Sequence, residues 1–94
     1  MFDSVIVAPN HLPKGFEEHT EWQSKSLDCN LDNYFIQEDG KLLKQGYYSQ
    51  LKPEPYRFTG AINFHGSVNG EWIEMVALFK KGELILLELV EPID

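Results

Sequence analysis

Residues 57–70 constrain the fold more than any other part of the chain. Phe58, Gly60, Ile62, Phe64, Gly66 and Val68 alternate with Arg57, Thr59, Ala61, Asn63, His65 and Ser67, and Asn69-Gly70 follows at once. A period of two is the side-chain repeat of a strand with one wet and one dry face. Asn-Gly tolerates the two positive φ angles of the tight turn whose twist matches an antiparallel pair. The run therefore predicts a long, half-buried strand that turns straight back on itself. Its glycines, on the apolar face, predict a bend or the close approach of an aromatic neighbour.

Asp39-Gly40 predicts the same event earlier, between a strand over Leu31–Gln37 and a return strand over Lys41–Lys44. Val5–Ala8 reads as a short buried strand ended by Pro9-Asn10, and residues 9–19 as a loop anchored by Phe16. Trp22–Leu27 reads as extended, and Glu83–Val90 as the last strand, closed by Pro92. Glu71–Phe79 supports two readings. Trp72, Met75, Val76 and Phe79 fall at i, i+3, i+4 and i+7, a helical stripe. Alternation sets Trp72, Glu74, Val76 and Leu78 against Ile73, Met75, Ala77 and Phe79 equally well. The flanking Asn69-Gly70 and Lys81-Gly82 favour the strand. The fold class is then mainly β, or α+β if one short helix forms. It is an antiparallel meander sheet of five to six strands, each beside its sequence neighbour. With 94 residues, the chain 1–94 is expected to form a single domain around one core.

Charge narrows the function classes. Fifteen acids against eight bases give −7. Residues 1–40 carry eight acids and two bases, residues 41–70 one acid and four bases, and residues 71–94 six acids and two bases. Nucleic-acid binding needs clustered Lys and Arg, so it is disfavoured. A protein partner with a basic surface suits the balance better. The longest apolar run, Leu84–Leu87, stops at Glu88, far short of the ~20 residues that cross a bilayer. Met1-Phe2-Asp3 places no cationic segment before an apolar one, so a cytoplasmic protein without a secretory signal is expected. Cys29 is the sole cysteine, which excludes an internal disulfide. Stability must then come from packing, hydrogen bonds or self-association, and a homo-oligomer is compatible with this.

Sites of chemistry are sparse. Asp28, Asn30 and Asp32 space oxygens as a calcium loop opens, but Asn33 stands where glycine is needed and Asp39 where a bidentate glutamate is needed. His11, His19, Cys29 and His65 have no compact zinc spacing, and the two loop histidines read as solvated. Cys29 lacks an activating glycine-rich turn and reads as a small buried hydrophobe. No metal, no cofactor and no catalytic residue is expected, and an enzyme is the weaker class. The aromatics carry more weight. Trp22, Trp72 and Tyr34 read as core. Tyr47 and Tyr48 fall in an irregular loop, residues 46–55, beside Lys44, Lys52 and Arg57. Tyr47, Tyr48, Arg57 and His65 are therefore the binding candidates, since tyrosine brings large contact area at low entropy cost.

The segment Trp22-Gln23-Ser24-Lys25-Ser26-Leu27-Asp28-Cys29-Asn30-Leu31-Asp32-Asn33-Tyr34-Phe35-Ile36, running on into Glu38-Asp39-Gly40-Lys41-Leu42, resembles a pattern near the N-terminus of small proteins encoded by bacteriophages and prophages. Phe64-His65-Gly66, Trp72 and Phe79-Lys80-Lys81-Gly82 are similar in kind to their second half. The group has no established activity, so the resemblance implies a phage or prophage context and transfers no site residue. The expected function is a small acidic protein-interaction domain, extending to a phage-encoded inhibitor or modulator of a host protein. Two rivals stand beside it. One is a small-ligand-binding or hydrolytic domain, with its site between the sheet and the 46–55 loop and drawing on His65, Asn63, Tyr47 or Tyr48. The other is a self-associating structural component.

Overall fold

The structure, a computed structural model, describes residues 2–27, 31–46 and 51–90. Eight strands follow in chain order: β1 (Asp3–Val7), β2 (Glu21–Ser24), β3 (Asn33–Ile36), β4 (Leu42–Gln45), β5 (Glu54–Pro55), β6 (Gly60–Val68), β7 (Glu71–Lys80) and β8 (Glu83–Val90). A single 3-10 turn, Pro9–His11, is the only helical element among the described residues. The chain is mainly β, and residues 71–79 are strand.

Local sequence explains the three longest strands. Asn69 and Gly70 take φ of 52° and 83°, and Lys81 and Gly82 take 51° and 80°. Both dipeptides thus make two-residue turns with the hand that matches strand twist. The helical stripe in β7 loses because a tight turn at each end feeds the backbone directly into an antiparallel ladder. Asp39-Gly40 behaves differently from the expected two-residue turn. Gly40 alone has positive φ, 86°. Its N–H donates to Gln37 O at 2.8 Å, while Gln37 N–H donates to Lys41 O at 3.0 Å. The loop is therefore three residues long, and Asp39 instead accepts from Lys41 N–H at 3.0 Å through Oδ1. An aspartate that bonds forward to backbone has no need of the left-handed region.

The expected meander of five to six strands is corrected to one sheet with eight strands among the described residues, in the order β5-β4-β3-β1-β2-β6-β7-β8. β1 lies between β2, antiparallel, and β3, parallel. β5, two residues long, is too short to leave a periodic signal. β2 joins β6 through one register pair, Gln23 with His65. Side chains extend that seam. Ser24 Oγ–H donates to Asn63 O at 2.6 Å, and Asn63 N–H donates to Ser26 Oγ at 3.0 Å.

The sheet curls until its two ends touch. Leu42 N–H donates to Gly82 O, Gly82 N–H to Phe58 O and Leu84 N–H to Gly40 O, each at 2.8 Å. This fixes the start of β8 against the start of β4, with Lys41 bridging Glu83. Inside the curl lie Val5, Val7, Trp22, Tyr34, Ile36, Leu42, Ile62, Phe64, Met75, Ala77 and Phe79, all buried. Trp22 is 1% exposed, its indole N–H donates to His19 O at 2.6 Å, and its ring meets Phe64 edge-on at 5.7 Å. A Cβ at Gly66 would sit 3.0 Å from the Trp22 ring, so this strand glycine does admit an aromatic neighbour. Phe16 packs against the same core from the 9–19 loop.

Trp72 overturns its assignment to the core, being 63% exposed. Strand parity explains it. Ile73, Met75, Ala77 and Phe79 turn inward, so Trp72 must turn outward with Glu74, Val76 and Leu78.

Candidate functional site

Tyr47 and Tyr48, the leading candidates from sequence, lie outside the described residues. Arg57 is exposed and sits where the sheet closes, beside Lys41, Lys81 and Glu83 around a recess of about 350 Å³. His65 lies near the other end of β6. The structure therefore does not bring Arg57 and His65 together.

His65 has the more elaborate surroundings. Its register partners are Gln23 on β2 and Glu74 on β7. Its ring stacks on Trp72 with centroids 4.6 Å apart and planes at 25°. Trp72 donates its indole N–H to Glu74 Oε1 at 2.9 Å. Imidazole Nδ1 is buried with no hydrogen-bond partner among the described residues. A concavity of about 360 Å³ beside the ring is lined by Lys25, Ser26, Asn63 and Glu74 among others. A larger groove, about 890 Å³, runs over the outer face of β1, β3 and β4 at Ile6, Phe35 and Leu43, walled by Pro9 and Pro53. Of the 46–55 loop, beside which a ligand site was expected, Lys52 and Pro53 line this groove, and residues 47–50 lie outside the described residues. His65 and Asn63, expected to serve it, belong instead to the separate concavity on β6.

The loop histidine His11 is half-buried rather than solvated, and its Nε2–H donates to Gln37 O at 2.8 Å. With Asn10 donating to Glu38 O at 3.0 Å, it pins the loop to the β3–β4 turn. Among the described residues no group of three His, Cys, Asp or Glu side chains could hold a metal ion. No helix among them is long and apolar enough to cross a membrane.

The feature that the sequence reading missed is the outer side of β7 and β8. Leu78, Leu86 and Val90 are 38%, 41% and 39% exposed, and Ile85 is 64% exposed. Leu78 and Leu86 are cross-strand partners, as are Val76 and Glu88 and, further along, Glu74 and Val90. Together with Trp72 they form an apolar stripe interrupted by carboxylates. Its physical cause is a register shift between Leu78 and Phe79, where β8 carries one extra residue, Ile85, opposite Leu78. That residue turns Ile85 and Leu86 both outward, while Leu84 and Leu87 pack against the core. The signal available in sequence was apolar residues of both parities in Leu84–Leu87, more than a strand with one dry face can bury. No family model, curated protein or solved structure matches the chain.

Proposed function

We propose that the chain is a small acidic protein-interaction domain that binds through the outer side of β7 and β8. The observation that carries this reading is the exposed apolar stripe of Ile85, Leu86, Leu78, Val90 and Trp72. Large apolar side chains exposed together on one side of a sheet, with polar residues among and around them, mark a contact site. An exposed tryptophan held in place by a stacked His65 and a bonded Glu74 is preordered for such contact. Glu74, Glu83 and Glu88 flank the stripe, and the chain carries −7 in all. Those charges favour a basic protein surface and repel phosphate. A phage or prophage context, the expectation from residues 22–42, would extend the proposal to a modulator of a host protein acting in the bacterial cytoplasm.

The test is capture from a bacterial lysate on immobilised protein, comparing wild type with Leu86→Lys and Trp72→Ala at low and raised salt. The reading requires a captured species that weakens with salt and is lost in both variants. Identical capture by wild type and both variants refutes it.

A second reading draws on the concavity beside His65, where Lys25, Asn63 and Glu74 converge with the imidazole. Such a cleft suits a small polar ligand. Ligand-detected NMR against a fragment set separates the two, since hits displaced by His65→Ala favour the cleft. Self-association as a structural component is read directly by sedimentation, and a monomer at high concentration removes it.

A further inference from the structure

β8 is the last strand of the sheet order, paired along one side with β7 and met on the other only at its start, where Lys41 bridges Glu83. Lys80 and Glu83 close the β7–β8 turn, so their backbone groups face each other. Leu84 therefore points away from β7, and its N–H donates to Gly40 O at 2.8 Å. Beyond the extra residue the pairing resumes with Leu78 opposite Leu86 and Val76 opposite Glu88. Alternation then turns the N–H and C=O groups of Leu87 and Leu89 to the open side, where they meet no partner among the described residues. Residues 83–90 contain neither lysine nor proline, and the bulge at Ile85, another device that blunts an edge, lies before Leu87 and Leu89 rather than between them.

We infer that this edge takes an extended, basic segment of the partner protein as a ninth strand. The inference rests on the reading of the chain as a protein-interaction domain and names how that surface binds. Main-chain bonds to Leu87 and Leu89 would supply affinity, and alternate side chains would lie on the outer stripe. Charge selects the occupant. Glu88 lies on the open part of the strand, so a lysine or arginine opposite it gains a cross-strand partner, while Glu74 on β7 adds negative charge one strand further in. A second copy is disfavoured twice. It brings −7 against −7. Antiparallel self-pairing that bonds Leu87 of one copy to Leu89 of the other also sets Glu88 opposite Glu88 in the closer kind of pair.

The test uses isotope-labelled full chain and four probes. These are a short capped peptide alternating lysine with valine, its glutamate–valine counterpart, the lysine–valine peptide N-methylated on alternate residues, and the chain itself at rising concentration. The inference requires that the lysine–valine peptide shift the Leu87 and Leu89 amides. It also requires at least tenfold weaker binding for the glutamate and N-methylated peptides. Leu89→Pro, which deletes an outward N–H and no bond to β7, should weaken binding equally. Leu89→Lys serves the same purpose if the proline variant does not fold, because it adds a cation at the edge. Undiminished binding of the N-methylated peptide, or concentration-dependent shifts at Leu87 and Leu89 from self-pairing, overturns the inference. Peptide shifts confined to Trp72, Leu78 and Leu86 overturn the edge inference and leave the interaction-domain reading standing. Absence of any peptide binding overturns the inference, while the lysate capture decides the broader reading separately.

Discussion

Two glycines in equivalent turns allow the closure of the sheet to be weighed on its own. Gly70 and Gly82 both occupy the second position of a two-residue turn, with φ of 83° and 80°. A Cβ on Gly70 would meet nothing within 4 Å. A Cβ on Gly82 would lie 2.5 Å from Tyr56 O and 3.1 Å from Arg57 Cα, both backbone atoms. Gly70→Ala therefore costs only the left-handed strain of a residue with a side chain, about 1–2 kcal/mol. Gly82→Ala carries that strain and must also push the turn away from Tyr56. Doing so breaks the bonds Leu42 N–H to Gly82 O and Gly82 N–H to Phe58 O, both 2.8 Å. At about 1 kcal/mol each, the two bonds add about 2 kcal/mol. The expected total is about 3–4 kcal/mol, a large share of the ~5–15 kcal/mol typical of small domains. Urea unfolding followed by circular dichroism and by tryptophan fluorescence gives both values, and coincidence of the two probes checks two-state behaviour. Costs for the two variants that agree within about 0.5 kcal/mol would refute the claim that the Gly82 turn clips the sheet closed.

Other expectations follow from single residues. Trp22→Ala should cost about 3–5 kcal/mol as a core truncation, whereas Trp72→Ala should stay within about 1 kcal/mol, because its ring is mostly in water. Equal losses in thermal melts would contradict the assignment of inner and outer faces. Ser24 is fully buried and its hydroxyl bonds Asn63 O at 2.6 Å; Ser24→Ala should cost about 1–3 kcal/mol by loosening the β2–β6 seam, and a neutral result in urea titration would show that one register pair suffices. Hydrogen exchange should be fast at the amides of Leu87 and Leu89 and slower at Leu86 and Glu88, which face β7. Uniform protection along β8 would mean that its edge is not open.

The β6 strand and the turns on either side of β7 were legible in the sequence. Alternation through Phe58–Val68 and the dipeptides Asn69-Gly70 and Lys81-Gly82 encode local backbone angles, and local angles do not depend on distant chain. Even there, Asp39-Gly40 showed that a dipeptide signals a turn more securely than its length, because the Asp39 side chain could bond backbone instead. The candidate site was less legible. His65 was singled out as a polar residue on a wet strand face, but its stacking partner Trp72 was assigned to the interior on residue type, although parity places it outside.

By itself, the amino-acid order determined that residues 58–68 form a half-buried strand that turns straight back at Asn69-Gly70, and it favoured strand over helix for residues 71–79. Only the tertiary structure decided that β3 runs parallel beside β1, that serine hydroxyls join β2 to β6, and that Gly82 locks against Tyr56. It also decided that the backbone groups of Leu87 and Leu89 are turned to an open edge. The division has a physical cause. Turn angles and side-chain alternation are properties of a few consecutive residues. Which strand edges meet, and which stay unmet, depends on how the whole sheet must curl to cover Trp22 and its neighbours.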